Sequence, residues 1–222
     1  MIRSPLAAEP LFHLGPVPIT EPVVTTWGLM AVLVLAAIAA TRRLDLRPSR
    51  AQAVVELLVT AIAGQIRDTM RADPVRFLPL IGTLLIFLAA ANLISLLPGL
   101  EPPTAHIETA AALAAIVFVA VHYYGIRARG LLGYLAGFAR PSWVLLPLTV
   151  LAEITRTFSM MIRLFGNIMS GVFVVGIVLS LAGLFVPIPL MALDMLTGLV
   201  QAYIFTVLAM VFVGAAIGTA EG

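Results

Sequence analysis

A chain of 222 residues that is 61% hydrophobic and 11% charged is not an ordinary soluble domain, which is about 45–50% apolar and about 25% charged. It has no cysteine, and all thirteen basic residues are arginine, which excludes disulfides, thiol catalysis, Schiff-base lysine chemistry and a phosphate-loop lysine. The net charge of +2 is too small to argue for nucleic acid. What remains is an integral membrane protein, read as one membrane domain over residues 1–222.

A spanning helix needs about 20 mostly apolar residues. Val23–Thr41 is the first such run, and it is read as retained, because a secretory leader would open with a basic region and a shorter apolar core. It stops at "RRLDLRPSR". Ala51–Met70 carries Glu56, Gln65, Arg67 and Asp68, and residues 51–72 read as a helix lying partly at the interface. Pro74 and Pro79 bracket the entry to a second span, Phe77–Leu97, and "PGLEPPTAHIE" is a turn-rich loop. Thr109–Tyr124 is a third, short span ending in aromatic residues. The connection "GIRARGLLGYLAGFARPSW" is amphipathic enough in its middle to lie on the bilayer surface. Val144–Ala182 and Leu190–Gly218 then form two long apolar segments joined by a turn. The first is far longer than one perpendicular crossing, so it must tilt, bend or run along the interface. The expected fold class is all-α and membrane-embedded, with about five membrane segments plus interfacial helices.

Arginine placement sets the orientation. Arg42, Arg43, Arg47, Arg50, Arg67, Arg71 and Arg76 lie between the first two spans, and Arg127, Arg129 and Arg140 follow the third. The opposite side has Arg3 with Glu9, Glu21, Glu101 and Glu108. The expectation is an N-terminus outside and a C-terminus in the cytoplasm. Arg156 and Arg163 remain, both inside the long apolar segment.

An arginine at membrane depth costs at least about 2.5–3.5 kcal/mol on insertion scales and marks function by default. Advancing about 100° per residue from Arg163, Arg156 falls at about 20°, Ser159 at about −40°, Asn167 at about 40° and Ser170 at about −20°. Thr149 falls at about 40° and Glu153 at about 80°. One polar stripe therefore runs along the helix, with Gly166 and Gly171 on or beside it as small residues that permit close helix approach. In the last helix, with Gln201 as zero, Asp194 lies at about 20° and Thr197 at about −40°. The plain alternative for these polar groups is helix-to-helix hydrogen bonding. For Arg163 it is a salt bridge within the bundle, with Glu153 or Asp194 as partner. Arg156 either snorkels to the interface or pairs with Glu153. No histidine pair has metal-binding spacing, so no metal and no cofactor is expected.

"IRLFGN" (Ile162–Asn167), followed by "QAYIFTVL" (Gln201–Leu208) near the C-terminus and preceded by "NLISLLPG" (Asn92–Gly99), resembles subunit a of rotary F-type ATP synthases. The similarity covers most of the chain from the first span onward. It implies a stator subunit with its last two helices long, tilted and paired as a hairpin along a ring of c subunits. It also implies two offset aqueous half-channels, a peripheral stalk of b subunits, the remaining ATP synthase complex and membrane lipid as partners, and residence in a bacterial inner membrane. The carried-over roles are Arg163 as the essential arginine, with Asn167 and Gln201 on the ring-facing and outer-channel region and Asp194 on the outer path. Asn92 falls in a matching motif, and Ser170 on the arginine's stripe. Two departures stand out: Val172 occupies a position often Glu or His, and Thr149 replaces a glutamate usual on the cytoplasmic path, with Glu153 one turn on. The run "AEITRTF" resembles the divergent branch called N-ATPases. The other function classes are an independent channel or secondary transporter, which would usually show paired repeats or broken helices, and a purely structural scaffold.

Overall fold

The computed structural model describes residues 10–14, 17–42, 50–95, 102–138, 146–183 and 185–218. Six helices dominate: α1 (Glu21–Thr41), α2 (Arg50–Met70), α3 (Leu78–Ile94), α4 (Ile107–Phe138), α5 (Leu146–Ala182) and α6 (Pro187–Ile217). One-turn 3-10 helices at Pro74–Arg76 and Pro103–Ala105 precede α3 and α4. Among the described residues α1, α4, α5 and α6 are long and apolar enough to cross a membrane, and α3 is a shorter apolar helix of 17 residues. The membrane-embedded body is thus all-α, with five membrane segments. A two-stranded antiparallel sheet, β1 (Pro10–Leu14) with β2 (Val17–Thr20), stands before α1. No expectation from the sequence included it.

Each helix boundary has a local cause. Pro22 and Pro79 sit in the first turns of α1 and α3, where a missing N–H costs nothing. Asp73 accepts from the Val75 N–H at 3.2 Å and starts the turn before α3. α6 ends at Gly218, whose φ of 86° takes the left-handed cap and lets its N–H reach the Gly214 and Ala215 carbonyls at 3.2 Å.

The third span does not stop at Tyr124. α4 runs on to Gly130, which has φ 73° and ψ 163°, a conformation essentially restricted to glycine. In a straight helix Tyr134 would stand about 13 Å along the axis from Gly125. Instead its ring lies directly on Gly125 and edge-on to His122, centroids 5.8 Å apart. The chain therefore folds back at Gly130, and Leu131–Phe138 returns along α4.

The core is a single seam among α2, α3, α4, α5 and α6. α2 contributes Ile62, Ile66 and Met70, α3 Ile81, Leu84 and Leu88, and α6 Phe205, Ala209 and Val213. The spacings of three and four place each set on one helical face. α1 is different: only Pro22 is buried, while Trp27, Val32 and Leu35 are 54%, 61% and 65% exposed. A helix that apolar and that bare has lipid or another chain for its surroundings.

Candidate functional site

α5 has 37 residues and so is about 55 Å long, against about 30 Å of bilayer hydrocarbon. It lies steeply oblique to any membrane that contains it, and Arg163 stands at its midpoint. Only one narrow ridge of α5 is fully buried at this level: Met160, Leu164 and Ile168, which fall at about 60–140° from Arg163. Burial falls off around the helix from that ridge. Glu153, nearest to it in angle, has a side chain 14% exposed, and Arg156 is 31% exposed. Thr149 and Asn167 are half-buried, and Ser159, Arg163, Gly166 and Ser170 are exposed. The polar stripe thus faces away from the chain's own bundle.

Neither acid considered as an intrachain partner is paired with Arg163. Glu153 accepts from Arg156, one turn on, and the Arg156 guanidinium lies 4.1 Å from the centre of the Phe212 ring on α6. Asp194 lies against Gly171, where its carboxylate occupies the space a side chain would need. Arg163 makes no hydrogen bond or ion pair among the described residues. The salt bridge within the bundle expected of a scaffold is absent there.

The stripe on α6 points the other way. Gln201 is 7% exposed, and Gly198, Ala202, Phe205 and Thr206 are buried on the same face. Asn92 of α3 is 3% exposed and donates through Nδ2 to the Leu88 carbonyl and to the Gly198 carbonyl of α6, both at 2.9 Å. Thr197 is exposed, with its hydroxyl turned back onto the Leu193 and Asp194 carbonyls. Two buried polar atoms lack a partner among the described residues, Gln201 Nε2 and Thr104 Oγ1. An orphaned buried donor in a native fold marks unseen water, an ion or a working group.

The structure divides the nominated residues into three places. Arg163 and Ser170 stand on the exposed face of α5, with Asn167 at its edge. Asn92, Gln201 and Asp194 belong to α3 and α6: Asp194 lies with Gly171 toward the Pro187 end of the hairpin, Asn92 meets Gly198, and Gln201 stands at the middle of α6. Thr149, Glu153 and Arg156 line a cavity of about 190 Å³ with Arg129, Tyr134, Phe212 and Ala215 at the other end. Arg129 fastens that end, its Nη2 3.5 Å from the Ala215 carbonyl and its guanidinium against Gly218. Sequence reasoning missed Tyr134 and Phe212, because no spacing rule brings a residue beyond a fold-back or on another helix to Glu153 and Arg156. It also missed Thr104, whose signal was a lone hydroxyl among prolines.

The chain matches the family model described as ATP synthase A chain over residues 23–214. It is 64% identical over 219 residues to ATP synthase subunit a 2 of a Bradyrhizobium species, covering 99% of this chain and 98% of that one. It is 47% identical over 204 residues to ATP synthase subunit a 1 of Hahella chejuensis, covering 92% and 87%. It is 46% identical over 196 residues to ATP synthase subunit a of Albidiferax ferrireducens, covering 87% and 85%.

Proposed function

The chain belongs to the ATP synthase A chain family, a membrane component of the ATP synthase complex, and from that premise we propose that it is the ion-translocating stator against which a ring of c subunits turns. The observation that carries this reading is Arg163: mid-helix, exposed, and without an ion partner among the described residues. A guanidinium at membrane depth calls for a charged or polar partner; in its own chain Glu153 is paired with Arg156, and Asp194 lies against Gly171. The partner then belongs to another chain.

The mechanism follows from that pairing. A ring carboxylate that has released its ion is costly in hydrocarbon, and the Arg163 guanidinium stabilises it as it passes. The same fixed charge repels a proton or sodium ion from crossing directly between the two sides. Arginine suits the place because it does not deprotonate and so cannot relay a proton. Ions enter from outside past Asp194, Asn92 and Gln201, with Asn167 and Ser170 beside the arginine. The unpartnered Gln201 Nε2 and Thr104 Oγ1 fit a hydrated outer path. Ions leave to the cytoplasm past Glu153, Thr149 and Arg156, in the cavity that holds them. The N-terminus is outside and the C-terminus inside, in a bacterial inner membrane, and the bare flank of α1 suits the b subunits of the stalk or lipid. The relocated glutamate supports placement in the N-ATPase branch.

Arg163→Ala tests the reading. We expect ion-driven ATP synthesis to be lost while the complex still assembles. Normal coupled synthesis by that variant would overturn the proposal.

A further inference from the structure

The cavity around Glu153 has one wall that no other part of the site explains. Its lining from α5 and α6 consists of straight-helix residues, but Tyr134 reaches it only because the chain reverses at Gly130. Tyr134 is 7% exposed. Its ring is seated on Gly125, which has no side chain to obstruct it, and meets the edge of His122. His122 is held in turn, with Nδ1 2.8 Å from the Phe118 carbonyl and its ring 4.2 Å from the Phe118 ring. Arg129, one residue before the reversal, is tied to the end of α6. The fold-back is thus fastened on both sides, and it places the Tyr134 ring on the cavity that Glu153, Arg156 and Thr149 line together with Phe212 and Ala215.

We propose that Tyr134 is the positioning residue that sets access from the cytoplasm to the Glu153–Arg156 pair, its ring forming a lid on the cavity. This rests on the reading of that cavity as the inner ion path. The lid is the ring itself, which its contacts with Gly125 and His122 hold in place. Gly130 supplies the reversal, Gly125 the seat and Arg129 the anchor.

The chain has no cysteine, so Thr149→Cys places a single thiol of this subunit on the cavity wall. In inverted membrane vesicles carrying the assembled complex, a membrane-impermeant methanethiosulfonate reports access to that thiol as a mass shift of the subunit. Adding Tyr134→Ala should raise the labelling rate by about threefold to tenfold, the factor expected from losing an aromatic contact of ordinary strength. Tyr134→Phe, which keeps the ring, should label at the parental rate. Gly125→Ala puts a methyl into the seat of the Tyr134 ring, with a lesser crowding of the Ala216 methyl, so it unseats the ring and should also accelerate labelling. It serves as the test if Tyr134→Ala fails to assemble. A thiol at Ser180, probed in right-side-out vesicles, should keep its parental rate in all three backgrounds. The lid is overturned if Tyr134→Ala and Gly125→Ala label at the parental rate, if Tyr134→Phe behaves like Tyr134→Ala, or if Ser180→Cys accelerates equally. Normal ATP synthesis by Arg163→Ala would sink the ion-path reading and leave these rates unchanged, so the two failures are separable.

Discussion

Asp194 packs against Gly171 across the two long helices, and the contact exists because glycine leaves a hole. The carboxylate lies where a β-carbon on α5 would be. A carboxylate held in an apolar segment must be wet, paired or protonated, and an ion path supplies the water. Asp194→Asn keeps the shape and removes the titration. We expect it to lower the rate of ATP synthesis at fixed driving force by up to roughly 100-fold, the low end of what a positioned proton-transfer group contributes. Gly171→Ala should act in the same direction, because the carboxylate has to move. Assembly should be normal for Asp194→Asn, as checked by subunit content in purified complexes. An unchanged rate in that variant returns Asp194 to a packing role. Arg163 carries the complementary argument: among the described residues it makes no hydrogen bond or ion pair to be lost, so its replacement should spare assembly and abolish only coupling.

At the scale of elements, α3 and α6 are clamped by one side chain. Asn92 spans them through the Gly198 carbonyl, and a β-carbon at position 198 would come within 2.9 Å of Asn92 Cγ. Asn92→Ala should cost about 0.6–1.7 kcal/mol, from the average to the maximum measured for such interhelical hydrogen bonds. Gly198→Ala should cost more alone than combined with Asn92→Ala, because the second change removes what the new methyl strikes. Thermal unfolding of the detergent-solubilised complex, run as a double-mutant cycle, checks the sign of that coupling. Purely additive effects would mean the clamp is not formed. The helices themselves were legible in the sequence. Long apolar runs place α1, α3, α5 and α6 to within a few residues, and the helical periodicity finds the stripe that α5 exposes. The periodicity also contained the burial gradient, since Glu153 lies nearest the buried ridge in angle and is less exposed than Arg156. Gly130 was not legible. It sits in "RGLLG" among glycines that stay helical, and only packing decides which one breaks. The salt bridge of Glu153 with Arg156 was foreseen as a local option, but its third member, Phe212, came from another helix and left no trace in spacing. The short sheet before α1 escaped because an apolar segment interrupted by a Gly-Pro dipeptide reads equally well as loop.

For the molecule as a whole, the decisive feature is where the charge is not enclosed. A self-contained channel or transporter would wrap its polar residues inside the bundle, since ionisable groups within a membrane face an interior or a water-filled cavity. Here the stripe around Arg163 faces out, and the buried ridge of α5 is the apolar one. The cavity that holds Glu153 lies at one end of the α5–α6 hairpin, and the contact of Asp194 with Gly171 lies toward the other. In the proposed mechanism a moving carboxylate on a partner connects the two. Each ion falling through the membrane potential yields about 2.3 kcal/mol per 100 mV, far too little for one ATP, so several must be collected through a rotating partner. The chain alone should therefore conduct nothing. We expect the purified subunit in liposomes to leave an imposed proton or sodium gradient decaying at the rate of empty vesicles. Co-reconstitution with its ring of c subunits should restore decay, and Arg163→Ala should leave that reconstituted system unable to drive rotation. Conduction by the lone subunit above the empty-vesicle rate would show a complete path within one chain, contrary to the outward stripe.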